Sequence, residues 1–157
     1  MIDTRVSHQS DCLALSRNLR QADLAEIQAA SGVTPHLALL RGFEQSSHCY
    51  TIIRPEAVYE PLAMFGVVSM ALNPSVGQVW FLGSDEIKLH SMEFLRKSKG
   101  WVHNFHTEYP VLYNNIDSRN AVHIKWLQWL GFQFINELHN YGHEGRTFYH
   151  FVRINNV

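Results

Sequence analysis

The stretch from Val79 to Ile116 constrains this chain more than any other. It reads VWFLG, then a helical pattern from about Glu86 to Thr107, then Pro110 and VLYNNI. In the helical part Phe94, Leu95, Trp101, Val102 and Phe105 form one stripe, with Arg96, Lys97, Lys99 and His103 off it. Two strands joined by a helix of this length are built to lie parallel in one sheet, because parallel neighbours need a crossover that a tight turn cannot supply. The strands 79–83 and 111–116 are therefore expected side by side and parallel, linked by a right-handed crossover.

The rest of the chain reads as hairpins and helices around that unit. IDTRV alternates like a short strand. A helix is expected from about Ser10 to Ser31, with Cys12, Leu15, Leu19 and Ala22 at helical spacing and Gly32 as its C-terminal cap. Thr34-Pro35 restarts a helix with Leu37, Leu40 and Phe43 on one face. HCYTIIR from His48 has strand composition and is closed by Arg54-Pro55. Leu62 to Leu72 reads as a strand with Gly66 at a bulge, NPSVG (73–77) as a turn, and QVWFLG as the returning strand. After the helix at Asn120, QFINELHNY and RTFYHFVRI form a last hairpin through Gly142 and Gly145. The expectation is a single α+β domain over residues 1–157, with a mixed central sheet and helices on both faces.

Composition narrows the function classes. At 157 residues the chain can bury about two-thirds of its unfolded surface as one domain. Its 13 basic and 14 acidic residues leave a net charge of -1, which gives no electrostatic reason to expect nucleic acid or an anionic membrane as partner. No stretch approaches the ~18 apolar residues of a membrane span, and the first residues lack the apolar core of a signal peptide. Cys12 and Cys49 are far apart and suit a reducing compartment as small hydrophobes. Ten histidines are present, but neither His103 with His106 nor His139 with His143 stands beside the partners that zinc sites use, and HExxH is absent. No metal is expected.

The helix NAVHIKWLQWLGF (120–132) asks for an explanation of its two tryptophans and its histidine. Steps of 100° place Val122, Trp126, Trp129 and Leu130 on one side, so burial accounts for both tryptophans. His123 falls inside the apolar arc. It reads either as a buried histidine satisfied by one bond or as a base or ligand contact at a helix N-terminus, where the dipole favours its neutral form.

An Asn opening this helix after a strand, and Gly-Phe ending it, resemble the last block of the GNAT N-acetyltransferase superfamily, with Asn120, Gly131 and Phe132 at the matching positions. Arg5 and Asp11 in TRVSHQSDCLALSRNL, and the order of elements, resemble the same superfamily. Two positions depart from it. The glycine-rich loop whose N–H groups cradle the CoA pyrophosphate is replaced by GSDEIKLHSMEF, and the tyrosine that protonates the leaving thiolate is replaced by Leu127. A narrower resemblance, to the internal virion (core) proteins of short-tailed lytic phages, rests on Trp80, Phe81, Ser84, Asp85, Asn120, His123, Ile124, Lys125 and Leu127.

These resemblances imply specific roles. In an acyltransferase, acetyl-CoA would lie where the strands ending in VWFLG and VLYNNI splay apart. Pantetheine would pair near Leu82 and Gly83, and the pyrophosphate would meet Ser84 to Ser91, with Lys88 supplying charge and Asn120 opening the facing helix. Asp85 or Glu86 would be the general base and His123 a further catalytic candidate. Taken from the residues alone, Ser84 and Asp85 cap a turn and Lys88 is solvated. The phage resemblance implies an assembly, ejection or host-interaction factor with other virion or host proteins as partners, in the host cytoplasm or the virion interior. The alternative is an active acetyl-CoA-dependent N-acetyltransferase. A nucleic-acid accessory is disfavoured by the charge balance.

Overall fold

The parallel pairing forms as its pattern requires, but at residues 76–78 against 111–113 rather than along 79–83. In the computed structural model, which describes residues 1–155, a strand β4 (Asn73–Gly83) and a strand β5 (Val111–Asp117) pair in parallel, with helix α4 (Ser91–His106) between them in the chain. Before them come β1 (Asp3–Val6), α1 (Gln9–Ser16), α2 (Gln21–Ala30), α3 (Pro35–Gln45), β2 (Ser46–Ile53) and β3 (Ala63–Met70). After them come α5 (Ala121–Trp129), β6 (Gln133–Tyr141) and β7 (Arg146–Ile154). All seven strands share one sheet in the order β1-β2-β3-β4-β5-β7-β6. Every neighbouring pair except β4–β5 is antiparallel.

Alternation along the central strands sends side chains to two cores. Phe65, Val67, Val79 and Phe81 join Phe94, Trp101, Phe105 and Leu127 under α4 and α5. Met64, Trp80 and Leu82 join Cys12, Leu15, Ile27 and Leu39 under α1–α3. Helices therefore cover both faces of the sheet, as a doubly apolar central strand demands.

Local differences from the sequence pattern have tertiary causes. The helix expected over 10–31 breaks after Ser16, where Leu19 bridges to Ser84 and the Arg20 N–H donates to the Gly83 carbonyl at 2.9 Å. Pairing with the end of β4 outweighs continued helix. NPSVG is not a turn but the first part of β4, and the chain reverses at Ala71 and Leu72. Gly66 is not at a bulge; a Cβ there would meet the His48 carbonyl at 2.7 Å, so close strand packing explains it. The helix expected from Glu86 begins as a 3-10 turn, Asp85–His90, before α4 proper.

The buried stripe of α5 is His123, Leu127 and Leu130, not the tryptophan side. Trp126 is half-buried, its Nε1 donating to Ser98 Oγ at 3.2 Å. Trp129 remains 46% exposed beneath Lys99, whose Nζ stands 4.3 Å from the ring centre. The helix rotates because His123 has a buried partner and Trp129 does not. It stops at Gly131, whose φ of +91° lets Gly131 and Phe132 donate back to Gln128 and Leu127 at 3.0 Å each.

Candidate functional site

β4 and β5 separate beyond Gln78, and one side chain holds them apart. Their register ends at Gln78 opposite Tyr113. One step further, the next rung would bring the Asn115 N–H to the Val79 carbonyl. Asn114 stands in its place: its Nδ2 donates to the Val79 carbonyl, 2.6 Å away, while its Oδ1 accepts the Asn115 N–H at 2.7 Å. A parallel ladder thus ends without leaving either backbone group unsatisfied. A cavity of about 400 Å³ occupies the resulting gap, lined from both faces of the sheet by residues that include Trp80, Phe81, Asn114, Trp126 and Glu26.

Further along the same edge of β4 stands Gly83. Its carbonyl accepts from Arg20 and its N–H donates to Asp23 Oδ2 at 2.9 Å. Asp23 is 1% exposed and also binds the Arg20 guanidinium, Oδ1 to Nη2 at 2.8 Å. Arg20 Nη2 in turn lies 2.9 Å from His123 Nε2. A guanidinium can only donate, so Nε2 accepts and the ring is neutral. Burial pushes the His123 pKa down to about 4, with Arg20 adding to the effect. Its Nε2 lone pair is engaged, which leaves that atom no capacity to take a substrate proton while Arg20 stays in place.

A second cavity of about 400 Å³ lies between the 3-10 turn with the start of α4 and helix α5. Four of the sequence candidates, Ser84, Lys88, Ser91 and His123, line it together, beside Arg20 and Lys125. Leu82 lines the first cavity instead. Ser84 is buried and its hydroxyl donates to the Leu62 carbonyl at 2.8 Å. Asp85 and Glu86 are exposed on the 3-10 turn. Asp85 pairs with Lys88 at 3.3 Å, which offsets the charge Lys88 would offer a pyrophosphate. Asn120 is buried at the head of α5, its amide 3.3 Å from His123 Nδ1, and lines neither cavity.

These residues do not fit acetyl-CoA. A pyrophosphate needs converging N–H donors and no nearby anion. The first turn of the 3-10 segment carries Asp85 and Glu86, and the first turn of α4 carries Glu93. The Gly83 backbone, which the resemblance assigned to pantetheine, is held by Arg20 and Asp23. Sequence reasoning missed Arg20, Asp23, Glu26 and Asn114. The spacing of Arg20 and Asp23 matches an ordinary surface ion pair, and only the break of the helix at Ser16 could have drawn attention to them. Among the described residues no group of three or more His, Cys, Asp or Glu is arranged to hold a metal ion. Among the described residues no helix is long and apolar enough to cross a membrane.

Solved structures share this architecture over nearly the whole chain. A GCN5-related N-acetyltransferase from Kribbella flavida superposes with a TM-score of 0.71 at 13% identity, over 98% of each chain. A ribosomal-protein-alanine N-acetyltransferase from Brucella melitensis gives 0.70 at 13% identity, over 98% of this chain and 99% of that one. The aminoglycoside acetyltransferase AAC(6')-Ib in complex with coenzyme A gives 0.69 at 14% identity, over 98% and 95%. The chain therefore has a GNAT fold; at such identities the likeness defines the fold alone. In sequence, residues 62–139 match the family described as "Bacteriophage T7, probable scaffold protein Gp13". No curated protein matches the chain in sequence.

Proposed function

We propose that this chain is a phage assembly protein, of the scaffold or internal-virion kind, on a GNAT fold whose acyl-CoA groove no longer admits the cofactor. The observation that carries the reading is the closure of the Gly83 edge by Arg20 and Asp23. The acidic 3-10 turn where phosphates would lie supports it, as does the family similarity over residues 62–139. Its partners are then other virion or host proteins, and its place is the host cytoplasm during assembly or the virion interior.

Titration calorimetry with acetyl-CoA tests the first half, and no saturable binding is expected. Micromolar affinity, about -8 kcal/mol, weakened by Lys88→Ala and by Asn120→Ala, would make the chain an N-acetyltransferase with a rebuilt phosphate site. A stop codon in the phage reading frame tests the second half. Defective or non-infectious particles are expected, and normal particles would remove the assembly role.

A further inference from the structure

The second cavity, between the 3-10 turn with the start of α4 and helix α5, combines apolar walls with cations. Phe81, Ile87, Phe94, Leu95, Trp126 and Trp129 supply the walls. Arg20, Lys88 and Lys125 also line it, and among the described residues no Asp or Glu does. Asp85 and Glu86 stand exposed on the 3-10 turn, outside the lining. Lys125 is exposed and meets no carboxylate of a described residue; Lys99, over the Trp129 ring, meets none either. Large apolar side chains stand in water on the bordering elements: Leu89 is 80% exposed, Met92 79% and Val122 63%.

Arg20 is the deepest of these cations, its side chain 10% exposed, and its donors are unevenly used. Nε and Nη2 donate to Asp23, and Nη2 donates to His123 Nε2 as well. Nη1 makes no hydrogen bond with any described residue. The chain's fully enclosed, unpartnered polar atoms are Arg54 Nε, His106 Nε2 and Asn120 Oδ1. Nη1 is not one of them, so it reaches open space, and the opening that Arg20 lines is this cavity. A guanidinium can only donate, so the group that completes Nη1 is an acceptor.

We propose that this groove docks an acidic, apolar segment of a partner protein. One carboxylate of the segment accepts from Arg20 Nη1, its apolar side chains lie against Phe94 and Trp129, and Lys125 faces its remaining charge. A hydrogen bond between two ionised groups is about twice as strong as a neutral one, and more so away from water. A single carboxylate needs only one edge of a guanidinium, whereas a pyrophosphate needs a ring of donors. The groove that refuses the cofactor can therefore take an acid side chain. Apolar grooves between elements are a common seat for amphipathic segments. A lipid surface is drawn instead by clusters of exposed basic residues, and here the cation with free donors is the most buried one. The inference takes the existence of a partner from the assembly reading and adds the face and the chemistry.

The test presents the immobilised full chain to a display library of randomised short peptides. Selected peptides should carry an acidic residue beside large apolar ones, and no enrichment of that pattern overturns the proposal. A selected peptide, capped at both ends, should lose about ten-fold or more in affinity when its acid is replaced by the matching amide. Arg20→Lys, which lacks Nη1, should erase that preference. Should this variant fail to fold, Trp129→Ala and Lys125→Glu change exposed side chains and still decide. The first should weaken the peptide by about ten-fold and the second by about three-fold or more. Equal affinity for acid and amide, or undiminished binding by Trp129→Ala, overturns the proposal. So does tighter binding of laurate than of the peptide, which makes the occupant a free amphiphile. Binding to phosphatidylserine vesicles that Lys125→Glu abolishes, or self-association that it abolishes, overturns it in favour of a membrane or a second copy. Acetyl-CoA binding alongside peptide binding overturns the assembly reading alone, and absence of both overturns this proposal alone.

Discussion

The carboxylate of Asp23 lies 2.9 Å from the Gly83 amide nitrogen, so a side chain from α2 occupies the backbone edge of β4. The same carboxylate neutralises Arg20, which is itself buried. Asp23→Ala would leave a guanidinium buried without its anion and the Gly83 N–H without an acceptor. A loss of ~3–5 kcal/mol is expected in urea melts, as for one broken partner of a buried pair. A loss below ~1 kcal/mol would show that this edge is solvated rather than closed.

Asn114 separates β4 from β5, and its replacement has a local readout. Asn114→Ala removes the bridge to the Val79 carbonyl and the acceptor for the Asn115 N–H. Stability should fall by ~1–3 kcal/mol, and exchange of the Asn115 amide proton should quicken. Unchanged exchange at Asn115 would mean that the ladder re-forms without the side chain.

The two tryptophans of α5 should differ sharply. Trp126 packs against Phe81 and Phe94, with ring centres 5.1 and 5.0 Å apart, and truncating it to Ala should cost ~3–5 kcal/mol. Trp129 is covered on one side by Lys99, a contact worth about 0.5–1 kcal/mol at an exposed site. Trp129→Ala should therefore cost about 1 kcal/mol or less in the same melts. Equal large losses would put Trp129 in the core after all.

Glu26 and His123 oppose each other in the pH dependence of stability. Burial raises the Glu26 pKa from 4.5 to about 7, so the folded chain keeps a proton that the unfolded chain has released. Its contribution is full below pH 4.5 and is lost as pH rises through 7. Burial lowers the His123 pKa from 6.5 to about 4, so its contribution is full above 6.5 and is lost as pH falls through 4. Comparing Glu26→Gln with the unaltered chain isolates the first slope. The variant should gain relative stability as pH rises from 4.5 to about 7 and be level outside that window. A constant difference across the window would mean that Glu26 titrates normally.

The unit from β4 to β5 is legible in sequence because its parts have different periods and a length that only a crossover satisfies. The last hairpin and the cap at Gly131 are legible for similar local reasons. Asn73–Gly77 misleads because Asn, Pro and Gly are turn formers, whereas the reversal falls on Ala71 and Leu72. The site is less legible. His123 turns inward and Trp129 outward against their hydrophobicity, because Arg20, distant in sequence, supplies a buried partner for the imidazole. Asp23 and Glu26 read as the polar face of a surface helix until Gly83 and Asp117 arrive to use them. Long-range backbone donors, not local pattern, decide which charged residues go inside.

The parallel seam of the sheet has a mechanical consequence. β4 and β5 share only three paired positions, Val76 to Gln78 against Val111 to Tyr113, while the other ladders are longer. The backbone therefore divides into a four-stranded leaf and a three-stranded leaf, stitched by few rungs. The apolar core under α4 and α5 is continuous across both leaves, with Phe65 and Val67 from one and Leu112 and Phe151 from the other. Side chains rather than peptide groups hold the leaves together, and side chains can slide where a ladder must break. A small rotation about the seam would change the width of the gap at its open end, where the cavity beside Asn114 lies.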